Sequence, residues 1–237
     1  DEPSHGGRRG RHRQDHRRQE ALILMNHLRI QSTAAAIRIE NLDTDQIIPK
    51  QFLTGIDKSG LARALLYDLR FDEHGSVRQD FVLNRPEYAN AEVLIGGANF
   101  GCGSSREHAV WSLQQFGVRA VIAPSFAEIF YSNAMNNRLL LVALPREAVE
   151  MLMNESDRSP AAETDMDVER MTVRSPVGLW SFTLSDRHRE MFLKNLDVIG
   201  LTLEKAQEIE AFSKDHFARS PWLLDIATAR PKFLGAK

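Results

Sequence analysis

Residues 99–108 read Asn-Phe-Gly-Cys-Gly-Ser-Ser-Arg-Glu-His and concentrate more reactive chemistry than any other stretch of the chain. Ser104 is a candidate nucleophile or base, but the Gly-x-Ser-x-Gly elbow of serine hydrolases is absent, which argues against a hydrolytic triad. What the run offers is a serine oxygen whose anionic form consecutive backbone N–H groups and the Arg106 guanidinium could stabilise. Arg106 could instead grip a substrate carboxylate with both arms of its fork. Against these stands a simpler use, in which Ser104 and Ser105 cap a following helix. His108 is either a general base or a hydrogen-bonded structural histidine. Cys102 sits beside a helix start with no evident partner base, a weak case for a catalytic thiol.

A second constellation is Asp43-Thr44-Asp45. Its spacing fits neither an EF-hand loop nor a zinc site. It reads either as an Asx turn ending a strand, or as a carboxylate that orients an arginine or a substrate hydroxyl in the same cleft.

The surrounding pattern supplies elements to hold both motifs. A short strand signal at 37–39 leads into the Asp-Thr-Asp turn, and Ser59 could cap a helix carrying Leu61, Leu65, Leu66 and Leu69 on one face. From 91 onward strand and helix signals alternate: strands at 91–95, 120–123 and 139–144, helices at 105–116 and 126–137. Such alternation implies βαβ units and a parallel sheet, and the uninterrupted aliphatic run 139–144 suits a strand covered on both faces. Pro145 could start a short helix through Met153, and 154–165 looks like a polar loop. A hairpin is expected around Pro176-Val177-Gly178, then helices at 186–195 and from 202 to about 217.

With 237 residues, 43% hydrophobic and 26% charged, the chain can bury a substantial core, and its formal charge of −2 argues against a protein dominated by nucleic-acid binding. No apolar run is long enough to span a membrane. The single cysteine excludes an internal disulfide framework and cannot alone hold an iron–sulfur cluster or a structural zinc, so a reducing, cytoplasmic setting is expected. The first residues hold Arg8, Arg9, Arg11, Arg13, Arg17 and Arg18 with almost no apolar side chains. We expect a disordered basic extension over 1–33, a folded domain over 34–222 and a C-terminal tail over 223–237.

Three separated segments carry a resemblance: Asp43-Thr44-Asp45-Gln46-Ile47-Ile48-Pro49-Lys50, the 99–108 run, and Pro124-Ser125-Phe126-Ala127-Glu128-Ile129-Phe130. Together with Asp197-Val198-Ile199-Gly200-Leu201-Thr202 they resemble the small subunit of 3-isopropylmalate dehydratase, a family similar to the swivelling fourth domain of aconitase. The resemblance implies an α/β swivel domain of β/β/α type, with a mostly parallel central sheet, flanking helices, a C-terminal hairpin and helices. It implies a hydro-lyase of leucine biosynthesis that isomerises 2-isopropylmalate to 3-isopropylmalate by dehydration and rehydration. It also implies that a 4Fe–4S cluster resides in a large partner subunit and that this chain binds no cofactor or metal.

By the same resemblance Ser104 matches the serine that acts as an alkoxide base in aconitase. Arg106 and the N–H groups of Ser105 and Arg106 would stabilise that alkoxide. Asp45 matches the aspartate of a Thr-Asp-His run in which Gln46 replaces the histidine, and it is expected to organise the site. Asp43, Thr44, Gly103 and Ser105 are candidate substrate contacts. The segment 52–66 corresponds to a specificity loop, where Leu53, Ile56 and Leu61 either line an apolar pocket or pack the loop on its own domain. Two alternatives stay open: a small subunit acting on citramalate-type or homocitrate-type acids, and an RNA-binding or regulatory module using the basic tail.

Overall fold

Ala34 to Ala36 and the aliphatic runs near 94, 121 and 141 are buried because parallel strands with both faces covered must be apolar throughout. The computed structural model describes residues 28–53 and 60–224. In chain order its elements are β1 (Arg29–Ile37), α1 (Thr44–Ile47), α2 (Tyr67–Arg70), β2 (Val93–Gly96), α3 (Glu107–Phe116), β3 (Ala120–Ala123), α4 (Glu128–Asn136), β4 (Leu140–Ala143), α5 (Arg146–Arg158), β5 (Glu163–Asp167), β6 (Thr172–Ser175), β7 (Gly178–Ser181), α6 (Asp186–Lys194), α7 (Val198–Glu204) and α8 (Ala206–Arg219). The chain divides into one unit through Asp197 and a second from Val198, which carries α7 and α8.

One seven-stranded sheet runs β4-β3-β2-β1-β5-β6-β7. β1 is its seam. Residues Ala34 to Ile37 pair in parallel with β2, whereas Arg29 to Thr33 pair antiparallel with β5. The β2–β3 and β3–β4 pairings are parallel, and the β5–β6 and β6–β7 pairings are antiparallel. The expected mostly parallel sheet is therefore mixed, with parallel and antiparallel halves meeting at β1.

The antiparallel half corrects two expectations. β1 starts at Arg29, inside the segment expected to be disordered; residues 1–27 of that extension lie outside the described residues. β5 occupies part of the expected polar loop, and α5 continues beyond Met153 to Arg158. The physical reason is charge pairing across the ladder. Arg29 donates to both oxygens of Asp165 at 2.7 Å, and Gln31 to Glu163 at 2.6 Å, while Ile30, Thr164 and Met166 point inward. Each strand alternates, but its outward positions are so polar that the pair reads as loop until partnered.

The helix expected near 61–69 is broken. Leu61–Ala64 is a 3-10 turn, Leu66 adopts a left-handed conformation at φ 49, and α2 follows. Ser59 lies outside the described residues. The helix expected from 202 is two helices, α7 and α8. The hairpin forms as expected, with Ser175 opposite Gly178 around Pro176 and Val177. Residues 225–237 of the expected tail lie outside the described residues. No described helix is long and apolar enough to cross a membrane.

The parallel half sets the position of chemistry. The connections leaving β1, β2 and β3 emerge at the carboxyl ends of parallel strands, where open α/β sheets form their ligand clefts. They carry the three sequence motifs. Near the amino ends of β3 and β4, a cavity of about 310 Å³ lined by Gln114, Arg119, Arg138 and Phe192 contains none of them.

Candidate active site

Backbone bonds sew the connection after β1 to the one after β2. The Asn41 N–H donates to the Ala98 carbonyl at 2.9 Å, Gly101 to Leu42 at 2.7 Å, and Thr44 to Cys102 at 2.8 Å. The Asn99 side-chain amide donates to that of Asn41 at 2.9 Å. On the other side the Phe100 N–H donates to the Ser125 carbonyl at 3.1 Å and the Ala127 N–H to the Phe100 carbonyl at 3.0 Å. The Ser125 hydroxyl accepts from the Asn99 N–H at 2.8 Å. The 99–108 run is thus held between the two other motifs. Asn41, Asn99 and Ser125 were not anticipated in this role from the sequence. The available signal was that Asn tolerates positive φ, and Asn41 and Asn99 lie at φ 53 and 56.

Gly101 is required by the same geometry. It lies at φ +77, and a Cβ placed on it would come within 2.2 Å of Phe130 Cγ. Gly103 lies at φ +92, giving the chain the turn that lifts Ser104 away from the stitched backbone.

The Asp43 carboxylate is used inside the protein. It accepts from the Gln46 N–H at 2.6 Å, while the Gln46 side chain accepts from the Asp43 N–H at 3.1 Å, a reciprocal capping box on α1. Thr44 is 2% exposed, and its hydroxyl donates to the Ser104 carbonyl at 2.7 Å. Both were expected among the substrate contacts; in the fold both side chains bond within the protein and shape the loop. Gln46, the departure from the aconitase run, completes the cap.

Ser104 and Ser105 do not cap α3. The helix starts at Glu107 with Arg106 in the cap position and no side-chain cap bond. Both serines and Gly103 are exposed. The Ser104 hydroxyl makes no hydrogen bond among the described residues, and the N–H groups of Ser105 and Arg106 have no protein acceptor there. Arg106 is the opposite case: its side chain is 12% exposed and pairs with Asp45, whose side chain is 42% exposed. Arg106 Nη1 also donates to the Ile48 carbonyl at 3.5 Å. A nearly buried guanidinium therefore lies two residues along the chain from a serine whose hydroxyl, like the next two N–H groups, has no partner among the described residues. That arrangement can hold negative charge.

The other candidates take structural places. Cys102 Sγ donates to the Asn41 carbonyl at 3.2 Å. Glu107 accepts from the Asn137 amide at 2.6 Å. His108 Nε2 is buried with no hydrogen-bond partner among the described residues, and its ring packs on Trp111 at 4.7 Å, so it is not the expected hydrogen-bonded histidine. Leu53 is half-buried against the core and Leu61 is buried within it, whereas Ile56 lies outside the described residues. Among the described residues no group of three or more His, Cys, Asp or Glu side chains could hold a metal ion.

Residues 25–147 match the family described as aconitase C-terminal domain, and residues 199–226 match the C-terminal domain of the 3-isopropylmalate dehydratase small subunit. The chain is 57% identical over 202 residues to 3-isopropylmalate dehydratase small subunit 1 of Chromobacterium violaceum, covering 85% of this chain and 95% of that one. It is 48% identical over 196 residues to the 3-isopropylmalate dehydratase small subunit of Phenylobacterium zucineum, covering 82% and 96%. A crystal structure of 3-isopropylmalate dehydratase from Methanocaldococcus jannaschii aligns with TM-score 0.56 at 26% identity, over 78% of this chain and 99% of that chain. Three motifs stitched at the ends of β1 to β3, matched over nearly the full length of such relatives, place this chain in the 3-isopropylmalate dehydratase small subunit family.

Proposed function

We infer that the chain is the small subunit of a hydro-lyase that interconverts 2-isopropylmalate and 3-isopropylmalate in leucine biosynthesis. The names of its relatives favour that substrate over citramalate-type or homocitrate-type acids. The observation that supports the mechanism is the state of Ser104: the residue is exposed, and among the described residues neither its hydroxyl nor the N–H groups of Ser105 and Arg106 have a hydrogen-bond partner. An ordinary alcohol is too weak an acid to be ionised near neutral pH. Donors that turn to the oxygen as it ionises would lower that cost, letting Ser104 take the proton from the substrate carbon as an alkoxide and return it during rehydration. Arg106, held by Asp45, would bind a substrate carboxylate.

A 4Fe–4S cluster would supply Lewis acidity at the substrate hydroxyl. One cysteine, already donating to a backbone carbonyl, is too few ligands for it, so we assign the cluster to the large subunit. The specificity loop around Leu53 and Ile56 would meet the isopropyl group, because an apolar wall accepts that group and penalises a third carboxylate. A cytoplasmic location suits a chain with one cysteine and no disulfide.

The test is co-purification with a large subunit and assay on 2-isopropylmalate. Turnover by the pair, with neither subunit active alone, is expected. Equal or better turnover of a tricarboxylic acid would overturn the substrate assignment.

A further inference from the structure

We propose that the Thr44 hydroxyl is a lock that sets the direction of the Ser104–Ser105 peptide and thereby aims the Ser105 N–H at the anionic site; this rests on Ser104 acting as the base. Thr44 is 2% exposed and makes two bonds to the loop. Its N–H donates to the Cys102 carbonyl at 2.8 Å and its hydroxyl to the Ser104 carbonyl at 2.7 Å. The anchors straddle Gly103, at φ +92, the most permissive residue of the loop.

The Ser104 carbonyl and the Ser105 N–H belong to one planar trans peptide, so they point in opposite directions. Fixing the carbonyl on Thr44 fixes the N–H on the far side, where no protein acceptor among the described residues takes it. Without the hydroxyl this peptide can turn as a unit about its flanking single bonds. Its oxygen would then replace a donor with an acceptor, repelling an alkoxide or carboxylate. The Thr44 N–H bond to Cys102 is unaffected by side-chain substitution, so the loop stays anchored while the peptide is released. Thr44 is thus a positioning residue, acting through the backbone of Ser105.

The experiment compares Thr44→Val, Thr44→Ala and Thr44→Ser in the complex with the large subunit, measuring kcat, KM, the pH profile and thermal unfolding. Loss of one oxyanion-type donor predicts a fall in kcat of about 100-fold. KM should change little, and the rising limb of the pH profile should move to higher pH because the alkoxide is harder to form. Thr44→Ser keeps the hydroxyl and should recover most of the turnover and the wild-type limb. Thr44→Ala serves if the valine variant fails to assemble. Normal kcat in a folded variant lacking the hydroxyl, an unshifted limb, or failure of serine to rescue would each overturn the lock. Ser104→Ala assayed alongside separates the failures: if it is fully active, the base assignment falls and the lock with it, whereas an inactive Ser104→Ala beside a normal Thr44→Val removes the lock alone.

Discussion

Asp45 and Arg106 form an ion pair between the connection after β1 and the start of α3. The arginine is mostly buried and the aspartate is partly open, so the pair holds the guanidinium in place. Asp45→Asn should cost about 1 kcal/mol of stability, since solvent screens a half-exposed partner. It should lower kcat/KM by more than tenfold, because an unanchored guanidinium loses its orientation. Arg106→Lys should fall further, to about 1% of wild type, because a point charge cannot reproduce a planar fork. Steady-state kinetics with urea unfolding checks both; unchanged kinetics in either variant would remove the contact from the mechanism.

Asp43 distinguishes a cap from a substrate ligand. Because its carboxylate closes the capping box with Gln46, Asp43→Ala should lose about 1 kcal/mol, while Asp43→Asn retains an acceptor and should stay close to wild type. Chemical denaturation gives the stabilities. A raised KM in a fully stable Asp43→Asn would return the residue to the substrate contacts.

Gly101→Ala tests the stitching. The new methyl would meet the buried Phe130 ring at a left-handed φ, so a loss of about 1–3 kcal/mol is expected from strain. A denaturation midpoint equal to wild type would show that the loop adapts more freely than its bonds suggest.

The Arg29–Asp165 pair predicts an acid sensitivity. Its guanidinium, by hydrogen bond and by charge, holds the Asp165 carboxyl below the usual carboxylate range, against a smaller opposing effect of burial. The folded state then binds a proton less readily than the unfolded chain. The pair's stabilisation is present above about pH 4 and is lost as pH falls through the depressed value. Arg29→Gln should therefore reduce stability at pH 6 and flatten its decline between about pH 4 and pH 2, measured by thermal unfolding against pH. Identical curves for the two proteins would show that the pair adds nothing.

How far the sequence could be read depended on whether a residue's partner lay nearby in the chain. β3 matched its expected bounds because Ala120 to Ala123 is apolar and buried on both faces. β5 was missed because Glu163, Asp165 and Asp167 look like loop until Arg29 and Gln31 stand opposite them. In the site, residue type and resemblance singled out Ser104, Arg106 and Asp45, and the fold adds the Asp45–Arg106 ion pair. The internal bonds of Asp43 and Thr44 were not legible because a carboxylate or hydroxyl looks equally able to bind a ligand or a backbone group, and only the fold reveals that Gln46 and Ser104 bond to them. The breaking of the expected helix at Leu66 had no signal, since a leucine at positive φ violates local preference.

Ser104 as the proton-transferring base is tested most directly by removing its hydroxyl. Ser104→Ala, purified as a complex with the large subunit, should fold and assemble normally, because the hydroxyl makes no hydrogen bond among the described residues. Its kcat on 2-isopropylmalate should fall by at least about 1,000-fold, with KM changed little, since a group acting only in the chemical step is removed. An assembled Ser104→Ala complex that turns over within about tenfold of wild type would contradict the assignment of Ser104 as the base.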